Sequence, residues 1–155
     1  MLGDGLRFNN PYRLPRQLGT ARESVSATAT YLELAIGATT GAPDSITHGA
    51  RLSWTVSLEG VAQQVVTPAY YAQYRFLPSW ALFGWVGLPI LLEPDVNLGG
   101  EFALGAAWFA RAGLGVVLAL VGDGFYGAGT RETKLPFYPV ISGQLGIIIN
   151  YEVLP

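Results

Sequence analysis

Six charged residues are the ones in this chain whose types and spacing could do chemistry together. Each occupies a polar position in a segment where apolar and polar residues alternate, so all six belong to one face of a predicted sheet. Enclosed on that face, carboxylates and guanidinium groups would have to pair, because an unpaired buried charge is costly. The set could form a packed plug, or a narrow polar path in which the arginines exchange carboxylate partners. Its members are Glu33, Arg51, Glu59, Arg75, Glu101 and Arg111.

The sequence contains few residues that could catalyse a reaction or bind a metal ion. His48 is the only histidine and there is no cysteine, which excludes thiolate nucleophiles, disulfides and histidine-rich or thiolate metal sites. A lipid-modifying hydrolase or acyltransferase would depend on His48 with a serine and a carboxylate, and it stays an alternative. We interpret His48 as an interfacial or turn residue. The carboxylates of Glu93, Asp95 and Asp123 are interpreted as solvated loop charges, and no catalytic residue, metal or cofactor is predicted.

The element that would position the charges is clearest at residues 50–59, ARLSWTVSLE, where the alternation has no fault. A strand places successive side chains on opposite faces, so the segment predicts a sheet with one apolar and one polar surface. The period returns near the C-terminus. The residues that we expect on the apolar face include Leu52, Trp54, Val56, Leu58, Ile147 and Ile149.

Seven strands follow from the alternation, and an eighth is expected at residues 5–13 because most single-chain bacterial barrels have even strand numbers. Residues 79–88 are apolar on both faces, so the sequence does not fix which side chains point inward. Connections alternate in length, with short ones at 41–46, 77–79 and 111–113 and long ones at 60–68, 89–97 and 123–139. The other predicted strands are 24–40, 50–59, 69–76, 79–88, two strands within 98–122 that reverse near residues 111–113, and 141–153.

The composition indicates which solvent meets the apolar face. Half of the 155 residues are hydrophobic and 13% are charged, against about 25% charged in ordinary soluble domains. A membrane would explain the deficit, and strands of this length can cross a bilayer at a tilt. A soluble β-protein explains the alternation but not the deficit. A transmembrane helix over residues 102–122 is the other alternative, against which the glycines of that segment argue.

The sequence also indicates which partners and which cellular location to expect. A net charge of −2 and the absence of basic runs interleaved with aromatic residues argue against nucleic acid. The N-terminal residues lack a basic segment followed by an apolar one, so no signal peptide is present as written, and we expect the mature form of an exported protein.

In these features the chain resembles the small outer-membrane β-barrels of Gram-negative bacteria, typified by outer membrane proteins A and W. The resemblance covers about residues 24–153 and rests on ARLSWTVSLE, AYYAQYRF and SGQLGIIINYEV. It implies an outer-membrane location and a porin-like, closed, antiparallel up-and-down β-barrel, with eight strands the expected number. The chain departs from the family in its last residues, which lack the phenylalanine that often ends such proteins.

We therefore expect an all-β chain forming a single barrel domain over residues 1–155. Residues 1–23 would be an N-terminal arm or an irregular first strand, and residues 24–153 the barrel. The expected function is non-enzymatic, namely membrane anchoring or surface interaction through the long loops, with the lipid bilayer as partner and a narrow solute path as a further possibility. The alternative is a transporter or receptor that binds a small hydrophobic ligand inside the barrel.

Overall fold

The computed structural model describes residues 1–8, 16–17, 26–42, 45–60, 62–93, 96–111, 113–126 and 137–151. These residues contain eleven strands and no helix. The strands are β1 (Leu2–Arg7), β2 (Arg16–Gln17), β3 (Ser26–Ala27), β4 (Tyr31–Thr40), β5 (Ile46–Ser57), β6 (Gln64–Leu77), β7 (Trp80–Gly87), β8 (Ile90–Glu93), β9 (Asn97–Arg111), β10 (Leu114–Tyr126) and β11 (Phe137–Ile149).

Eight of the strands form a closed ring of antiparallel neighbours. Strands β4, β5, β6, β7, β9, β10 and β11 pair in chain order, and β1 pairs with both β4 and β11. Because the first strand joins the last, the sheet closes on itself and has the form of a barrel. The prediction of an all-β chain with a closed antiparallel sheet is confirmed.

The ring has two unlike ends. At one end, which we call the turn end, the ring strands are joined by two to five residues; at the other, the loop end, the connections have six or more. Gly41 and Gly113 in the short turns have φ of 134° and 90°, a left-handed backbone region that side chains disfavour. The three short strands outside the ring lie within the longer connections: β2 pairs with β3, β3 with β1, and β8 with β6 and β9.

Several predicted boundaries differ from the structure because backbone pairing continues where the side-chain alternation fades. The first strand is β1, at Leu2–Arg7 rather than 5–13, and residues 9–13 lie outside the described residues. Strand β6 begins at Gln64 within the predicted loop 60–68, and β8 lies within the predicted loop 89–97. Strand β10 extends to Tyr126, which makes Asp123 a strand residue.

Inward-pointing apolar and aromatic side chains line the turn-end half of the ring. The rings of Phe83 and Trp85 stack with centroids 5.9 Å apart, and Tyr71 lies 6.0 Å from Phe83. This fixes the phase of β7, which the sequence left open. Gly105 makes room for this stack, since a Cβ there would lie 2.4 Å from the Phe83 ring. The buried cluster consists of Ala81, Phe83, Trp85, Ala103, Ala107, Phe109, Val117, Ala119 and Val121.

In the described part of the chain the wall has an opening between β4 and β11, near the turn end. Strand β1 separates these two strands only from Leu2 onward, where Leu2 lies opposite Leu32 and Leu145. Beyond that point β4 continues to Thr40 and β11 to Ile149. Among the described residues, 34–40 and 147–149 have no pairing partner on this side. We call this one-strand-wide opening the seam.

Candidate functional site

The centre of the site is a buried ion pair inside the ring. Arg51 on β5 donates from Nη2 to Oε1 of Glu33 on β4, and the two side chains are 7% and 2% exposed. Both point inward because they occupy the polar positions of alternating strands. The Arg51 guanidinium also lies over the Trp85 ring, 4.1 Å from its centroid. A charge buried this deeply depends on such partners.

Hydrogen bonds extend this pair toward β11. Gln144 donates from Nε2 to the second carboxylate oxygen of Glu33, at 3.3 Å, and to the Tyr31 hydroxyl, at 3.0 Å. The hydroxyls of Tyr31 and Ser142 are 2.7 Å apart. Strands β4 and β11, which flank the seam, are therefore linked across the interior by side chains.

The network also reaches β9 and β10. The indole N–H of Trp85 donates to Glu101. Asp123 lies directly opposite Glu101 in the ladder. We call the following set, in which Asp123 is included for its place beside Glu101, the interior network: Tyr31, Glu33, Arg51, Trp85, Glu101, Asp123, Ser142 and Gln144.

The remaining predicted charges lie elsewhere. Glu59 is at the loop end, where its carboxylate accepts from the backbone N–H and the hydroxyl of Thr30, at 3.2 and 2.9 Å. The Arg75 guanidinium lies 5.0 Å from the centroid of the Phe109 ring. The side chain of Arg111 is outside the described part of the structure. The structure thus brings Glu33 and Arg51 together and joins Glu101 to them through Trp85.

The residues expected on the apolar face lie on the outside of the ring. Five of them have exposed side chains, from 46% for Trp54 to 70% for Ile147, and Val56 is partly exposed. His48 is exposed on β5, its ring 5.8 Å from that of Tyr70. Many other outward residues on the same surface are large and apolar, among them Leu34, Ile36, Leu82, Val86, Phe102, Leu104, Leu118 and Leu120.

A cavity of about 290 Å³ lies beside the ion pair and reaches the seam. Glu33 and Arg51 contribute to its wall, together with the apolar and aromatic interior. Ala35 and Gly37 line it from β4, and Ile148 from β11. The other lining residues are Met1, Leu34, Ile36, Thr39, Ala50, Tyr71, Phe83, Trp85, Val117, Ile147 and Ile149.

Sequence reasoning missed five members of the network. Tyr31, Ser142 and Gln144 stand at inward positions of alternating strands, so a search for every polar residue on that face would have found them. Asp123 was assigned to a loop. Trp85 lies in β7, for which the sequence does not indicate which side chains point inward.

Among the described residues, no group of three or more histidine or carboxylate side chains is placed to hold a metal ion. No helix in the described ranges is long and apolar enough to span a membrane. Comparisons with protein-family models, with curated proteins and with solved structures give no match to the chain.

Proposed function

We propose that the chain is a membrane-spanning β-barrel of the bacterial outer membrane. The observation that carries the proposal is the distribution of its side chains: large apolar residues cover the outside of the ring and a charged network lies inside. A soluble monomer rarely exposes a continuous apolar patch of more than a few hundred Å². Lipid accepts such a surface, and outside the seam the ring satisfies its backbone hydrogen bonds without water.

The proposed role is non-enzymatic anchoring and surface interaction. Three short turns at one end and longer connections at the other support an orientation with the turns toward the periplasm and the loops outward. Paired Trp80 and Trp108, opposite each other in the ladder, lie near the turn end, as do Tyr74 and Phe76. Exposed aromatic residues there fit a membrane interface. The loop-end connections would meet any partner outside the cell.

Extraction and refolding test this proposal. The protein should require detergent or lipid for solubility, give a β-type circular dichroism spectrum, and migrate faster on a gel unheated than heated. A helical spectrum, or a soluble monomer without detergent, would contradict it.

Narrow solute passage is a further part of the proposal, with Arg51, Arg75 or Arg111 as its gate. The ion pair and the stacked aromatic rings support a closed state, because an eight-stranded ring is just wide enough for side chains to fill. If the arginines gate a path, planar-bilayer currents should change on Arg51→Ala, Arg75→Ala and Arg111→Ala. If the currents of all three variants equal those of the unchanged protein, the arginines do not form a gate.

A second candidate function is binding of a small hydrophobic ligand, and the cavity at the seam favours it. The cavity has aromatic and aliphatic walls and a few polar groups at its inner side, as ligand sites commonly have. Such a ligand should raise the midpoint of thermal unfolding in detergent. No shift with any apolar probe at saturation would dismiss this function.

A further inference from the structure

We infer that residues 153–155, which we call the tail, turn back after β11 and fill the seam as a short strand in line with β1. The structure describes the chain as far as Tyr151, and residues 152–155 lie outside the described residues. The inference goes beyond the proposed function and rests on it, because an open seam is costly only where lipid meets it.

On β4 the backbone groups that face the seam follow from the pairing with β1. The amino group of Met1 donates to the Glu33 carbonyl at 2.6 Å, and the Glu33 N–H donates to the Met1 carbonyl at 2.7 Å. Alternate residues of a strand direct their N–H and C=O to the same side. Those of Ala35 therefore point into the seam, where no strand among the described residues pairs with them.

The edge of β11 has the same need. Asn150 donates its backbone N–H to Gly113, on the side of β10. Ile147 and Ile149, at the alternate positions, direct their backbone groups to the other side, into the seam. Hydrocarbon supplies neither donors nor acceptors, so the occupant that these two edges require is an extended segment of polypeptide.

The tail has the direction and the length for this place. It follows β11 at the turn end, so on turning back it runs antiparallel to both β11 and β4, as β1 does. Met1 already occupies the position opposite Gly146, since a Cβ on Gly146 would lie 2.7 Å from the Met1 Cα. The positions opposite 147–149 are open. A three-residue turn at 150–152, a common hairpin length, brings residues 153–155 to them.

The side chains of the tail match this register. Val153 and Pro155 fall on the outer surface, beside exposed isoleucines of β11. Leu154 points inward between Ala35 and Ile148, which line the cavity of about 290 Å³. The cavity has room for a leucine side chain. A ligand of the second candidate function would therefore have to displace the tail or share the cavity with it.

A shorter turn does not fit the seam. With a two-residue turn at 150–151, Glu152 would lie opposite Ile149 on the lipid-facing surface, where a carboxylate is costly. Pro155 would then compete with Met1 for one position. With three residues, Glu152 stays in the turn, where the proposed orientation places water.

Disulfide cross-linking tests the inference directly, because the chain contains no cysteine. In the inferred register Val153 lies opposite Ile36 in a non-hydrogen-bonded pair, with Cα atoms about 4.5 Å apart, which a disulfide can span. After reconstitution into vesicles and mild oxidation, the double variant Val153→Cys with Ile36→Cys should form an intramolecular disulfide.

The matched control combines Val153→Cys with Leu52→Cys. Leu52 lies opposite Ile36 in the ladder, one strand further from the seam, and both side chains are exposed. Two strand spacings of about 4.8 Å each put its Cα beyond the roughly 7 Å that a disulfide allows. This pair should oxidise at least tenfold more slowly.

Hydrogen exchange gives a second readout without cysteines. In the full chain the amides of Ala35, Ile147 and Ile149 should be protected by the tail. In a variant that ends at Glu152 they should exchange at least tenfold faster. The amide of Ile36, which points toward β5, should stay equally protected in both.

Equal oxidation of the two cysteine pairs, or equal exchange of the seam amides in the full and shortened chains, would overturn the inference. Disulfides between two copies would also overturn it, because the strand in the seam would then come from a second chain. A protein that inserts into vesicles but does not cross-link defeats this inference alone. Failure to insert at all defeats the proposed function.

Discussion

The Glu33–Arg51 pair is the point at which single residues matter most. Both side chains are almost fully buried, so removing one partner leaves the other charge without compensation. We expect Arg51→Met to lower the free energy of unfolding by about 3–5 kcal/mol. Urea titration of the refolded protein in detergent or vesicles would measure it.

The double variant Glu33→Gln with Arg51→Met is the control for this prediction. It removes both charges, and replacing a buried pair by neutral groups is often close to neutral. The double variant should therefore be more stable than Arg51→Met alone. If the single change costs under 1 kcal/mol, the pair is solvated and the interior is not closed around it.

At the residue scale the sequence predicted which side chains point inward but not which of them meet. Alternation placed Glu33 and Arg51 on one face. Their contact is diagonal, because the ladder puts Gly37 opposite Arg51 and Thr55 opposite Glu33. Such a contact depends on side-chain reach across a twisted, curved wall, which periodicity does not encode. For the same reason the sequence could not predict that Trp85 links Arg51 to Glu101.

Within the strands, glycines allow the aromatic interior to pack. A Cβ on Gly105 would lie 2.4 Å from the Phe83 ring and 2.5 Å from the Leu118 carbonyl oxygen. Gly105→Ala should therefore lower the free energy of unfolding by about 1–3 kcal/mol, as overpacking does. Urea unfolding would again measure it.

Gly143 on β11 is the matched control, since a Cβ there would have no atom within 4 Å. Gly143→Ala should change stability by less than about 0.5 kcal/mol. Equal effects of the two changes would mean that the packing of Phe83 and Trp85 does not depend on the space that Gly105 leaves.

The seam makes a separate prediction about backbone dynamics. In a chain shortened to residue 152, amides of residues 34–40 and 147–149 that point into the seam have no strand among the described residues to pair with, so they should exchange hydrogen within seconds to minutes. Amides of β9 and β10, paired on both sides, should be protected far longer. Hydrogen exchange measured by mass spectrometry distinguishes the two groups. Slow exchange at the seam would mean that another strand pairs there.

At the element scale the sequence predicted the alternating strands well and their ends poorly. Residues 50–59 lie in β5 apart from the last two, because a half-exposed strand displays its period. For β7 the sequence could not predict which side chains point inward, because both faces of this strand are apolar. The seam was unpredictable because it depends on how far β1 reaches along β4 and β11, a matter of register between strands far apart in sequence.

The whole molecule is built with its apolar surface outward, which predicts an unusual response to surface charge. Leu118, near the middle of β10, is 63% exposed. In a bilayer, Leu118→Arg should cost about 2–4 kcal/mol, whereas Leu114→Arg near the end of the strand should cost about 0–1 kcal/mol. Refolding into vesicles with urea titration would measure both. Equal, near-zero effects would indicate that this surface faces water.

The contact of the outer surface with lipid is the central claim, and brominated phospholipids test it most directly. Four single-tryptophan variants, each with the other three changed to phenylalanine, would be reconstituted into vesicles of these lipids. The account predicts strong quenching of Trp54, Trp80 and Trp108, which are 43–46% exposed, and little quenching of Trp85, which is 2% exposed. Quenching of Trp85 alone, or of none of the four, would contradict it.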